Sequence, residues 1–148
     1  MTMHVPATDL TREDARTLFD RWTALWNGEL ALAAQILAPG FRIHFGGVPS
    51  ADTDTDTDTD TDAFRGPDEF ALFLAAFRDR FPAPGLRYAV DGTPVVESGT
   101  GYVVARWTVD VPDVEGAVVT RSGIDVLALG GGRVAEVWSI TGARRFAP

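Results

Sequence analysis

Apolar residues first recur with a helical period. Ala15, Leu18, Phe19, Trp22, Leu25 and Trp26 fall on one stripe of a 3.6-residue repeat. Thr11, followed three positions later by Asp14, supplies a capping box with Asp in place of Glu. A helix is therefore predicted to begin just after Thr11 and to stop at Asn27-Gly28. A second, shorter helix is predicted over 29–37, with Leu30, Ala33, Ala34 and Leu37 inward and Pro39-Gly40 ending it. The period then drops to two, with Phe41, Ile43 and Phe45 on one face of a short strand and Arg42 and His44 on the other. Helical spacing returns after Arg65-Gly66-Pro67, where Phe70, Phe73, Leu74, Phe77 and Phe81 make a strongly aromatic stripe that ends at 82–85. Such a helix requires a broad apolar partner, and the rest of the chain supplies only a sheet.

From Leu86 onward the pattern is that of strands. Residues 86–97 read as a strand with a bend at Asp91 to Pro94. In 101–111, Val103, Ala105, Trp107 and Val109 share one face, and Tyr102, Val104, Arg106 and Thr108 share the other. After a turn at 112–116, strands are predicted over 117–129 and 133–141. Helices first and long strands afterwards is an α+β order rather than an alternating βαβ order. An antiparallel sheet of this kind twists, curls around the helices and leaves a cavity at its open end.

The last hairpin carries an unusual charge. Asp125 is surrounded by Ile124, Val126, Leu127 and Leu129, which is not how a solvated surface strand is written. A Gly131-Gly132 turn pairs Gly130 with Arg133 and Asp125 with Trp138, whereas a Gly130-Gly131 turn pairs Asp125 with Glu136. In either register Asp125, Glu136 and Trp138 share a face; only a three-residue loop or a bulge breaks this. Two carboxylates and an indole on one sheet face are the expected pocket wall.

Composition bounds the remaining possibilities. The 148 residues fit a single domain over 1–148, and 45% hydrophobic with 10% aromatic residues indicates a packed globule. The absence of cysteine excludes disulfides and thiolate chemistry. No leader-like or membrane-spanning run is visible, so a cytoplasmic location is expected. The net charge of −8 disfavours nucleic acid and anionic membranes as partners. Much of that charge lies in residues 51–63, ADTDTDTDTDTDA, so it says little about a substrate. Alternating Asp and Thr has nothing to bury and reads as a low-complexity loop inserted in the domain. It lacks the turn glycine and the closing Glu of a calcium loop, and no metal site is assigned to it. His44 is the only histidine besides His4 in the N-terminal tail.

The segments FRIHF, RGPDEFALFLAAFRDRFPAPGLRYAVDG, GYVVARWTV and SGIDVLALGGGRVAEVWSI together resemble the SnoaL-like polyketide cyclases. These belong to the nuclear transport factor 2-like superfamily, with ketosteroid isomerase, scytalone dehydratase and limonene epoxide hydrolase. The resemblance spans nearly the whole chain from Thr11 to Ile140, apart from the Asp-Thr insertion. It implies a cone-shaped α+β barrel, with three helices closing a curved mixed sheet around a hydrophobic cavity, and a homodimer formed through the outer sheet face. It also implies catalysis without metal or organic cofactor, in which Asp125 acts as general acid/base in an aldol closure or isomerisation of an apolar carbonyl substrate. A carboxylate in an apolar pocket suits this role, because desolvation raises its pKa toward neutrality.

The candidate ligand walls are Trp138, Trp107, Trp26, Trp22 and Phe77, with Glu136 on the rim. Many such cyclases place a histidine in a Gly-Thr-His-x-Gly motif after the Arg-Trp-Thr strand; here that region is Val109 to Asp113, and His44 becomes the candidate second catalytic residue. The epoxide-hydrolase pattern calls for Arg and Asp where this chain has Gly123 and Ile140. Two function classes follow: a cofactor-independent acid/base enzyme, or a non-catalytic small-molecule binder or dimeric scaffold of the same fold.

Overall fold

The structure, a computed structural model, describes residues 10–46, 65–97 and 101–147. His4 and the Asp-Thr segment at 51–63 lie outside the described residues. The elements run α1 (Arg12–Trp26), α2 (Leu32–Ile36), β1 (Leu37–Phe45), α3 (Gly66–Arg78), β2 (Arg87–Glu97), β3 (Tyr102–Pro112), β4 (Val118–Gly130) and β5 (Arg133–Thr141). The strands form one sheet in the order β1-β5-β4-β3-β2, with β1 parallel to β5 and every other pair antiparallel.

Local chemistry explains most boundaries. The Thr11 hydroxyl accepts from the Asp14 N–H at 3.0 Å, and the Asp14 carboxylate accepts from the Thr11 N–H at 3.2 Å, which closes the predicted capping box. Its stripe is buried as predicted at Ala15, Phe19, Trp22, Leu25 and Trp26, with Leu18 partly buried beside it. At the other end Arg78 donates to the Trp26 carbonyl at 2.8 Å. Asn27 clamps the backbone of β2 by donating to the Tyr88 carbonyl at 2.9 Å and accepting from the Tyr88 N–H at 2.7 Å.

One predicted element is corrected. The second helix, predicted over 29–37, runs only over Leu32–Ile36, and Leu37 is already extended. Pro39 disfavours a helical conformation in Ala38. It is accommodated in β1 because β1 is an edge strand, where the ladder irregularity between Leu37 and Arg42 absorbs Pro39 and Gly40. Similarly, the predicted bend in β2 is a register shift between Asp91 and Val95.

The helices cover one face of the sheet. The helix α1 packs on β2 and α3 packs on β1, so the two sheet edges are each held by a helix and the curved sheet closes over them. The core lies between: Phe19, Trp22, Leu25, Phe41, Ile43, Phe70, Leu74, Val103, Leu127, Val134 and Val137 are all buried. Rings dominate its centre. Trp22 stacks on Phe70 with centroids 5.8 Å apart, and Phe41 lies 4.9 Å from Phe70. Among the described residues, no helix is long and apolar enough to cross a membrane.

Candidate functional site

Asp125 sits on the inner face of β4, opposite Ala105 of β3 and Ser139 of β5, and is only 3% exposed. The indole Nε1 of Trp22, on α1, donates to its Oδ2 at 2.8 Å. The other oxygen, Oδ1, is buried without a hydrogen-bond partner. Burial pushes the Asp125 carboxyl above the usual carboxylate range, and Ser139, Trp22 and Trp107, which face it, pull in the opposite direction. Of the two indoles only Trp22 bonds the carboxylate in good geometry: the Nε1 atoms of Trp107 and Trp26 are buried and unpaired. Leaving a buried donor or acceptor unpaired costs about 1–3 kcal/mol, so these atoms mark a place where the fold is not optimised for stability.

A continuous row of four aromatic side chains includes both indoles that face the carboxylate. Trp22 meets Trp26 edge-on at 6.0 Å, Trp26 meets Tyr88 at 5.3 Å, and Tyr88 meets Trp107 at 5.5 Å. Burial, and after it the Asp125 charge, raise the Tyr88 hydroxyl pKa, which Arg78 lowers, so Tyr88 is a neutral phenol at physiological pH. Trp107 lies flat across the neighbouring strand because residue 123 is glycine: a Cβ there would stand 2.2–2.6 Å from the indole carbons. Gly123 is therefore what lets this indole reach the inner face beside Asp125.

The predicted wall of Asp125, Glu136 and Trp138 does not form. The turn is Gly131-Gly132 with both residues at positive φ, and Gly130 pairs with Arg133 as one of the two predicted registers requires. Leu129 then pairs with Val134 but Ala128 pairs with Glu136, which leaves Ala135 as an extra residue. This bulge exchanges the faces of β5 beyond it, so Ser139, not Trp138, lies beside Asp125. Glu136 and Trp138 point to the outer face, and His44 is there with them.

His44 Nε2 lies 2.7 Å from Glu136 Oε2, and its ring stacks on Trp138 at 5.7 Å and 22°. Trp138 is 41% exposed and meets Tyr102 edge-on at 6.4 Å. The structure thus brings Asp125, Trp22 and Trp107 together, with Trp26 one ring further away. It separates His44, Glu136 and Trp138 from them by the thickness of the sheet. Phe77 is partly buried on α3, against Trp26, Phe73 and Phe81. Arg133, at the start of β5, donates to the Ala34 carbonyl at 2.7 Å. Sequence reasoning missed Tyr88, Ser139 and the Trp22 bond to Asp125. The last joins residues 103 apart, and no local pattern reports such a contact. Among the described residues no three His, Cys, Asp or Glu side chains converge to hold a metal ion.

The SnoaL-like domain matches residues 15–137 of the sequence. The chain belongs to this family. No curated protein matches it in sequence. Among solved structures, this SnoaL-like chain is similar to a proposed SnoaL-like polyketide cyclase from Jannaschia sp. CCS1, with 18% identity, TM-score 0.62, and coverage of 95% of this chain and 91% of that one. It is also similar to IdmH, a proposed polyketide cyclase from Streptomyces antibioticus, at 16% identity, TM-score 0.64, and 86% and 91% coverage. A nuclear transport factor 2-like protein of unknown function from Mesorhizobium loti aligns at 16% identity, TM-score 0.60, and 97% and 100% coverage. At these identities the likeness shows the cone-shaped α+β fold and leaves the chemistry to the side chains.

Proposed function

We propose that this SnoaL-like domain is a cofactor-independent acid/base enzyme acting on an apolar carbonyl compound held at the inner face of the cone, in a reaction of the polyketide cyclase (aldol) or isomerase type. The observation that carries the reading is Asp125: an ionisable group desolvated among aromatic rings, with one oxygen bonded by Trp22 and the other unclaimed. Burial makes its carboxylate a stronger base than a solvated one, which suits removal of a proton α to a carbonyl and its return to a forming alkoxide. Trp22 is a positioning residue, donating to one carboxylate oxygen while the other has no hydrogen-bond partner.

The test uses polycyclic ketones of polyketide-like and steroid-like shape, with 2-tetralone as the simplest member. Wild-type protein is expected to accelerate exchange of the α-hydrogens in D2O, followed by NMR, and Asp125→Asn to lose this by about 10²–10⁴-fold. Equal exchange by both proteins, or binding without exchange by both, overturns the acid/base role.

A second reading, a non-catalytic binder or dimeric scaffold, is favoured by a different observation. On the outer face Trp138, Ile140 and Tyr102 leave much of their surface in water, at 41%, 53% and 38% exposure. An apolar face of this kind suits the outer-sheet homodimer that the family resemblance implies. Sedimentation should then give a dimer for the wild type and a monomer for the Trp138→Glu, Ile140→Glu double variant. A monomeric wild type removes the dimer from either reading.

A further inference from the structure

Two polar atoms on the inner face, carried by neighbouring strands, are unsatisfied in complementary senses. Asp125 Oδ1 is a buried acceptor without a donor, and Trp107 Nε1 is a buried donor without an acceptor. Both residues are at least nine-tenths buried, at 3% and 6% exposure. Their strands are neighbours: Ala105 pairs with Asp125, and Trp107, two residues along on the same face, pairs with Gly123. The missing side chain at Gly123 is what seats the indole there. Trp107 and Ser139 both face the carboxylate and lower its pKa, and the Trp22 indole donates to Oδ2, but neither Trp107 Nε1 nor Asp125 Oδ1 has a partner in hydrogen-bond geometry. Buried polar groups are nearly always paired, so a donor and an acceptor left unpaired on the same face of neighbouring strands fit a third group that satisfies both.

We propose that Trp107 Nε1 and Asp125 Oδ1 form a two-point recognition site for one oxygen function of the ligand, which makes enolisable ketones and their enols the compounds selected. This inference rests on reading the inner face of the cone as the ligand site. In the ketone, the carbonyl oxygen accepts from the Trp107 N–H while the α C–H faces Asp125 Oδ1. On enolisation the proton passes to Oδ1, the C–H electron pair becomes the C=C bond, and the carbonyl π pair moves to the oxygen. The Trp107 N–H then stabilises that oxygen as its charge develops. An enol hydroxyl accepts from Trp107 and donates to Oδ1. A ligand oxygen without an adjacent hydrogen leaves one partner unpaired and is discriminated against.

The test needs no natural substrate. Calorimetric titration compares 2-naphthol, which donates and accepts, with 2-methoxynaphthalene, which only accepts, and naphthalene, which does neither. Wild-type protein is expected to bind 2-naphthol about tenfold more tightly than the other two, and Trp107→Phe, which keeps a ring but removes the N–H, to lose that preference while binding naphthalene as before. The ligand series on the wild type tests the pair even if Trp107→Phe does not fold. Equal binding of the three compounds, binding of none, or an undiminished 2-naphthol preference in Trp107→Phe overturns the proposal. The 2-tetralone exchange separates the two readings. Exchange that depends on Asp125, without a naphthol preference, removes the Trp107 donor and leaves the acid/base role. A Trp107-dependent preference without exchange retains the two-point site in a protein that binds but does not turn over.

Discussion

The two faces of the sheet hold two carboxylates in opposite circumstances. On the inner face Asp125 is desolvated, bonded at one oxygen by the Trp22 indole and faced by Trp107. On the outer face Glu136 is about one-third exposed and meets His44 at 2.7 Å. Both carboxylates lie on the same β4–β5 hairpin, a few residues from an indole, and the sequence offers similar neighbours for each. What separates them is solvent. Water on the outer face screens the Glu136 charge and reduces the worth of its pair, whereas the inner face magnifies every unmatched group. The proposed chemistry therefore belongs to the inner face, and the proposed association to the outer one.

That contrast is sharpest in large truncations. Phe70→Ala on the inner side should cost about 3–5 kcal/mol in urea unfolding, because the ring is fully buried between Trp22 and Phe41. Trp138→Ala on the outer side should cost the isolated chain well under about 1.5 kcal/mol, since much of that ring is already in water. Comparable losses would show that the outer face is packed in solution by something else, such as a second copy.

The next effect is polar. Trp22→Phe keeps most of the apolar surface but takes the donor from Asp125 Oδ2, and should cost about 1–3 kcal/mol above pH 7. It should also raise the Asp125 pKa further, because the Trp22 bond is one of the interactions holding it down. An NMR titration of the Asp125 carboxyl carbon reads this directly, and an unmoved titration would mean that the bond does not hold in solution.

The pH dependence follows from the sign of the shift. The folded-state pKa of Asp125 lies above its unfolded value, so between the two the folded state holds the extra proton. The contribution of this group to stability is thus complete below the ordinary aspartate range near pH 3.8 and declines as pH rises through the folded pKa. Thermal unfolding of Asp125→Asn should lack that decline, so the variant should gain on the wild type as pH increases. A constant difference between them across pH would contradict the burial of an ionisable group at this position.

The smallest effect belongs to the outer pair. Glu136→Gln should change stability by about 0–1 kcal/mol, given the exposure of both partners. It should leave 2-tetralone exchange untouched, because the sheet stands between Glu136 and Asp125.

Much of this was legible in the chain. Helical spacing, a capping box and aromatic repetition located α1 and α3, since those signals are local and each helix buries one continuous stripe. Period-two alternation put Trp107 on one face with Val103, Ala105 and Val109, all of which are buried, and the apolar neighbours of Asp125 marked it as an unsolvated charge. Local pattern also placed a glycine turn within 130–132, because few residues other than glycine accept two positive φ angles, but the structure chose Gly131-Gly132.

Tertiary structure decided how those faces combine. Alternation states which residues of one strand share a side, but a single bulge at Ala135 reverses the relation between β4 and β5, and alanine carries no signal for a bulge. That one residue moved Glu136 and Trp138 away from Asp125 and put Ser139 in their place. The Trp22 bond was likewise out of local reach, because it is made only after a helix at the start of the chain and a strand near its end pack against one core. Asp125 was visible as an apolar strand's one unexplained charge; the fold determined that an indole holds one of its oxygens and leaves the other free.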